Sequence, residues 1–292
     1  MRLSGLTWSS LLALAGCNTV FSLEPTTERI SDARYFDAPI DAPFACTPLG
    51  AAPPRYSRAL HQITQDCTDY SASPSTGLAT VLCRESTQVL VEEGPLDGPF
   101  VPSVGIDSGP GLAVAHPRLS PEGDELFTIQ SPSGGPGVLV AYARQSNGSW
   151  LRAYDVTIPF AVPSSARIGR VTRGPARRVM IGVYDGYVHE LEFDRTGASK
   201  EVGTYGPSNL GGANYTESAP NLSADGLRMI YDTYGDTTVL FMGYADRPNV
   251  DAPFGAPREL DGVPSVFDPV MTEDCSRIYF SGVSSLLWIQ QL

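Results

Sequence analysis

Few stretches of the 292-residue chain run ten residues without a Gly, a Pro or a polar cluster. That excludes a helical protein, because amphipathic helices need longer uninterrupted periodic segments. Only 18% of residues are charged, and the balance is acidic, with a formal net charge of −12. Binding nucleic acid calls for a basic patch, and docking on anionic lipid heads calls for clustered Lys and Arg, so neither partner is expected. No apolar run reaches the ~20 residues that span a bilayer. The three histidines, His61, His116 and His189, lie far apart, and no Cys pair has a CxxC spacing. Neither a metal nor a cofactor is therefore expected. GxSxG, HExxH, Walker A and Rossmann glycine patterns are all missing, so no catalytic constellation is legible.

What is present points to strands and turns. Apolar residues make up 42% of the chain and aromatics 9%, enough for a core, and Gly (29) and Pro (25) are plentiful. This mix suits many short strands joined by tight turns.

The N-terminus has its own logic. Met1-Arg2 gives a positive start, and an apolar stretch runs roughly from Leu6 to Ala15. It has the length of a signal h-region rather than of a membrane span. Leu14-Ala15-Gly16-Cys17 follows. It resembles the lipobox of bacterial lipoproteins: an aliphatic residue, two small residues, then the cysteine that takes the lipid. The resemblance implies a signal peptide over 1–16, lipidation at Cys17 and a membrane anchor of several acyl chains, which together hold firmly where one does not. Asn18, rather than Asp, follows the cysteine. By similarity to enterobacterial sorting, this favours the outer membrane over the inner. Residues 17–50 read as a tether, with Asp37-Ala38-Pro39 and Asp41-Ala42-Pro43 stiff, acidic and solvated. Such tethers resemble those of myxobacterial envelope lipoproteins.

Residues 51–292 carry a repeat. Pro117-Arg118-Leu119-Ser120-Pro121-Glu122-Gly123, Pro220-Asn221-Leu222-Ser223-Ala224-Asp225-Gly226 and Pro269-Val270-Met271-Thr272-Glu273-Asp274-Cys275 align without gaps. Each reads as Pro, an apolar residue two further on, a hydroxyl residue, an acidic tight turn and then an apolar-aromatic strand. The spacing is 49 residues from 220 to 269 and 103 from 117 to 220. The second is close to twice the first, which calls for a copy near 169, and Gly169-Arg170-Val171-Thr172 supplies it. A degenerate fifth copy begins near Asp69, with Ser71-Ala72-Ser73. Further strands are expected at Val138–Ala143, Val188–Phe193 and Val239–Tyr244, with weaker outer ones at Leu151–Ile158 and Pro257–Leu260. Four antiparallel strands per repeat make one propeller blade.

These units resemble the PD40 repeats of TolB-like propellers, relatives of WD40 repeats, whose core is a Ser-Pro-Asp-Gly turn before an apolar-aromatic strand. Ser120-Pro121-Glu122-Gly123 and Ser223-Ala224-Asp225-Gly226 each differ by one residue. Thr272-Glu273-Asp274-Cys275 departs further, with Cys in the glycine place. The expected fold is all-β: a β-propeller of five blades, or six if residues 45–68 hide more than one strand. Only 24 residues remain from Pro269 to Leu292. The last blade therefore lacks its outer strand, which an N-terminal segment at Tyr56–Ile63 is expected to supply, closing the sheet edge.

With Cys17 lipidated, four cysteines remain, and in an exported protein they suggest two disulfides. Three pairings are open. The propeller favours Cys67 with Cys83 and Cys46 with Cys275. The histidines are expected to be structural, with His116 just before the first strand of a blade. Asp232-Thr233-Tyr234-Gly235-Asp236 reads as a plain hairpin turn.

Propellers bind where loops of all blades converge. The expected function is a monomeric, non-catalytic, membrane-anchored scaffold of the cell envelope, and the resemblance to TolB implies envelope proteins as partners. The alternative is a propeller glycoside hydrolase or lyase acting on extracellular or envelope glycans. It would be marked by two or three carboxylates in the central funnel.

Overall fold

The computed structural model describes residues 61–63, 67–73, 76–85, 88–106, 111–132, 135–163, 166–172, 176–183, 187–206, 220–235, 238–260, 267–272, 275–281 and 286–290. Leu14, Ala15, Gly16, Cys17, Cys46, the tether and Asp274 lie outside them. The described residues form five four-stranded antiparallel sheets. The first holds β2 (Cys67–Ser73), β3 (Leu78–Glu85), β4 (Gln88–Pro95) and β5 (Val101–Pro102); the second holds β6 (Leu112–Leu119), β7 (Glu125–Pro132), β8 (Val138–Arg144) and β9 (Trp150–Val156). The third holds β10 (Arg167–Ile168), β11 (Arg177–Gly182), β12 (Val188–Phe193) and β13 (Ser199–Tyr205); the fourth holds β14 (Asn221–Leu222), β15 (Arg228–Gly235), β16 (Thr238–Asp246) and β17 (Arg258–Glu259). The last sheet runs β18 (Phe267–Met271), β19 (Arg277–Ser281) and β20 (Leu286–Gln290), and its outer position is taken by β1 (His61–Ile63). The N-terminal strand thus closes the last blade, with His61 opposite Trp288 and Ile63 opposite Leu286.

Each sheet packs on the next, and the last packs back on the first through β2 with β18 and β19. The arrangement is a β-propeller. Its cores explain why the second strand of each repeat is an almost continuous apolar run. Successive side chains of a strand point to opposite faces, and here both faces are covered. Phe127 and Ile129 join a cluster with Val179, Ile181 and Phe193 of the third sheet. Their neighbour Leu126 points the other way, to a cluster with Val91 of the first. In the fourth sheet Met229 and Tyr231 pack against Met180, while Ile230 packs against Ile278 and Phe280. The seam between last and first sheets is aromatic: Tyr70 stacks on Tyr279 at 4.0 Å, beside Trp288.

The hydroxyl residue of the repeat has one recurrent task. The backbone N–H groups of Glu125, Arg178, Arg228 and Arg277 donate to Ser120 Oγ, Thr172 Oγ1, Ser223 Oγ and Thr272 Oγ1 at 2.9–3.1 Å. Three residues past Ser120, Ser223 and Thr272, the turn residue is left-handed: Gly123 at φ 70°, Gly226 at φ 71° and Cys275 at φ 59°. Glycine suits that backbone, while Cys275 carries a Cβ cost there. Cys67 and Cys83 are joined, facing each other in the β2–β3 register. Cys275 is also disulfide-bonded, and its partner lies outside the described residues.

Two residues lie elsewhere than the sequence suggests. His116 lies within β6, not before it, and is buried. Asp232 belongs to β15 and is fully buried rather than placed in the hairpin turn. In both cases the strand runs further than its polar residues suggest, because they face buried partners in neighbouring sheets and not solvent: His116 meets Asp69, and Asp232 meets the backbone of Asp268.

Candidate functional site

The site sits on the innermost strands, and the repeat itself assembles it. Four residues before the hydroxyl residue, the sheets contribute Asp69 (before Ser73), His116 (before Ser120), Ile168 (before Thr172) and Asp268 (before Thr272). Asp69, His116 and Asp268 have φ values of 54°, 52° and 51°. Non-glycine residues rarely adopt this region, and such outliers gather where function over-determines the backbone. Each coincides with a register shift in its ladder, between Thr68 and Ser71, Ala115 and Arg118, and Phe267 and Val270. These bulges turn one extra residue out of the regular alternation.

The three side chains converge. A ligand-type atom of each lies within 4.8 Å of the others. His116 Nδ1 and Asp69 Oδ1 are 2.6 Å apart. Arg118 Nη2 lies 3.7 Å from the same carboxylate, and Arg167 Nη1 pairs with Asp268 Oδ1. Asp232 Oδ2 accepts the backbone N–H of Asp268 at 3.2 Å. Asp69, His116 and Asp268 are 5%, 7% and 8% exposed, so these polar groups meet in low dielectric. Burial opposes ionisation of Asp69, but His116, Arg118 and Arg167 outweigh it and hold the carboxyl far below the usual range. Burial also lowers Arg118, against the pull of Asp69 and Asp268.

Two guanidiniums brace the axis. Arg118 donates to the carbonyls of Ile168 (2.9 Å), Asp69 (3.2 Å) and Pro117 (3.1 Å), touching three sheets. Arg170 donates to Met271 O (2.9 Å) and Ala72 O (2.6 Å). Both stand two residues before their hydroxyl residue, so a second ring of the same repeat supplies them.

Other sequence-level candidates do not join this cluster. His61 lies in β1 at the outer edge, and His189 lies in β12, where it meets Glu201 at 2.7 Å. The repeat turns carry Glu122, exposed, and Asp225, which accepts from Ser223 Oγ at 2.6 Å and serves the turn itself. A separate depression of about 460 Å³ lies by the third sheet, lined by Glu192, Phe193, Asp194 and Lys200 among others. The axial cluster escaped a reading by local spacing because its members are 47 and 152 residues apart. The common offset from the repeat's hydroxyl residue is the signal that could have found it.

No protein-family model matches the chain, and no curated protein matches it. Solved structures do. An endo-arabinase from Bacteroides thetaiotaomicron is similar at TM-score 0.55 and 11% identity, over 83% of this chain and 98% of that one. A GH43 endo-arabinanase from Bacillus licheniformis is similar at TM-score 0.52 and 14% identity, over 77% and 93%. TolB from Acinetobacter baumannii is among the neighbours at TM-score 0.46 and 15% identity. The match covers 78% of this chain and spans 55% of the length of that TolB. At these identities the likeness is one of fold alone. The fold and its axial ring define a β-propeller with a charged, self-paired centre.

Proposed function

We propose that the chain is a lipid-anchored protein of the cell envelope whose propeller binds other envelope proteins and carries out no catalysis. The anchor rests on Leu14-Ala15-Gly16-Cys17 and the acidic tether behind it. Asn18 favours the outer membrane, and the chain acts as a monomer held by its acyl chains. The non-catalytic reading rests on one observation: the central acids are already committed. Asp69 is engaged by His116 and Arg118, and Asp268 by Arg167. A glycosidase needs a carboxyl that delivers a proton to the leaving group, and so one whose pKa is raised. Asp69 is pushed the opposite way.

A second reading is a glycoside hydrolase or lyase acting on extracellular or envelope glycans. It is favoured by the approach of Asp69 and Asp268 at the axis, with Asp232 bonded to the backbone of Asp268, and by arabinan-cleaving enzymes among the fold neighbours. One experiment separates the two. The full chain is cross-linked in detergent-extracted envelope of its own source and the captured proteins are identified. The same preparation is assayed for release of reducing sugar from arabinan and from envelope glycans. One or two reproducible protein partners with no sugar release support the scaffold; sugar release that disappears in Asp69→Asn supports the enzyme.

A further inference from the structure

We propose that the axial triad of Asp69, His116 and Asp268 is a binding site for a divalent transition cation of the zinc type, with Arg167 as the cation that occupies it otherwise. The donors come from three sheets, and one atom of each lies within 4.8 Å of the others, close enough to converge on one ion. Two carboxylates and one imidazole are a mixed O/N set. Such a set suits zinc, which accepts three protein ligands and leaves a position for water. Calcium takes six to eight oxygens and fits poorly.

A cation already sits against the set: the Arg167 guanidinium pairs with Asp268. The Arg167 side chain is 28% exposed, whereas that of Arg118 is 3% exposed and tied to three carbonyls. Arg167, the more exposed of the two, is the cation an incoming metal would displace, while Arg118 stays and weakens, without preventing, the approach of a second positive charge. Asp232, bonded to the backbone of Asp268, fixes that ligand from behind, as outer-shell partners do. Binding is then an exchange in which the metal displaces Arg167 from Asp268 and takes the place of the His116–Asp69 contact.

The test is calorimetric titration of the chelator-treated full chain, in detergent, with zinc chloride and with calcium chloride. The site predicts one zinc per chain, no comparable calcium binding, and zinc affinity roughly tenfold or more weaker in His116→Gln and Asp268→Asn. His189→Gln should leave the affinity unchanged. Arg167→Ala keeps all three donors and removes the competitor, so it should bind zinc more tightly than the parent. Zinc binding that is absent from both the parent and Arg167→Ala, or that survives His116→Gln but not His189→Gln, overturns the assignment.

Discussion

Arg247 and Glu190, 57 residues apart, form a two-pronged ion pair across the boundary of the third and fourth sheets, at 2.9 and 2.8 Å. Both side chains are only 1% exposed. Tyr205 and Arg178 also reach Glu190, and Arg247 lies over the Phe254 ring. Removing one partner of a buried pair leaves an uncompensated charge, at a cost of about 3–5 kcal/mol. Arg247→Met should lower stability by that order in urea unfolding. Adding Glu190→Leu should restore part of it.

The repeat turns offer a second prediction. Ser223 Oγ accepts the Arg228 N–H at 2.9 Å and donates to Asp225. Ser223→Ala leaves a buried N–H without that partner, which costs about 1–3 kcal/mol. Thr272→Val should cost a similar amount through Arg277. The same change at Ser73 should differ in kind, since its Oγ bonds the Pro121 carbonyl of the next blade.

These turns mark how far the sequence could be read. The repeat spacing locates the inner strands, the hydroxyl residues and the closing strand, because each unit repeats one local solution to turning and pairing. It also favours the Cys67–Cys83 bond, since both residues fall at one end of a hairpin. The axial cluster and the Arg247–Glu190 pair were not legible. They join residues from different blades, and their polarity resembles that of surface positions. His116 read as a structural residue and Asp232 as part of a hairpin turn for the same reason.

The Cys67–Cys83 bond closes a separation of 16 residues within the first sheet. Chain-entropy reasoning for a loop of that size gives about 3 kcal/mol. The double change Cys67→Ser with Cys83→Ser should lower the urea midpoint accordingly. Under non-reducing conditions, proteolysis of the parent should yield the two cysteines in one linked peptide.

Alkaline behaviour follows from Tyr154. Burial and the neighbouring Glu125, against Arg177, push its pKa up to about 12. The folded chain therefore holds this proton where the unfolded chain has lost it, above the ordinary value near 10. The stability it contributes is complete below pH 10 and is lost as pH rises from about 10 to 12. Titration of phenolate absorbance should show one fewer late-ionising tyrosine in Tyr154→Phe, and the loss of stability over that window should shrink.

The membrane anchor is the claim on which the account of function turns. The most direct measurement is incorporation of a labelled fatty acid in cells expressing the chain, followed by separation of membrane and soluble fractions. The account predicts label on the parent protein, all of it in the membrane fraction, and neither label nor membrane retention for Cys17→Ser. Equal behaviour of the two proteins, or an unlabelled soluble parent, would contradict it.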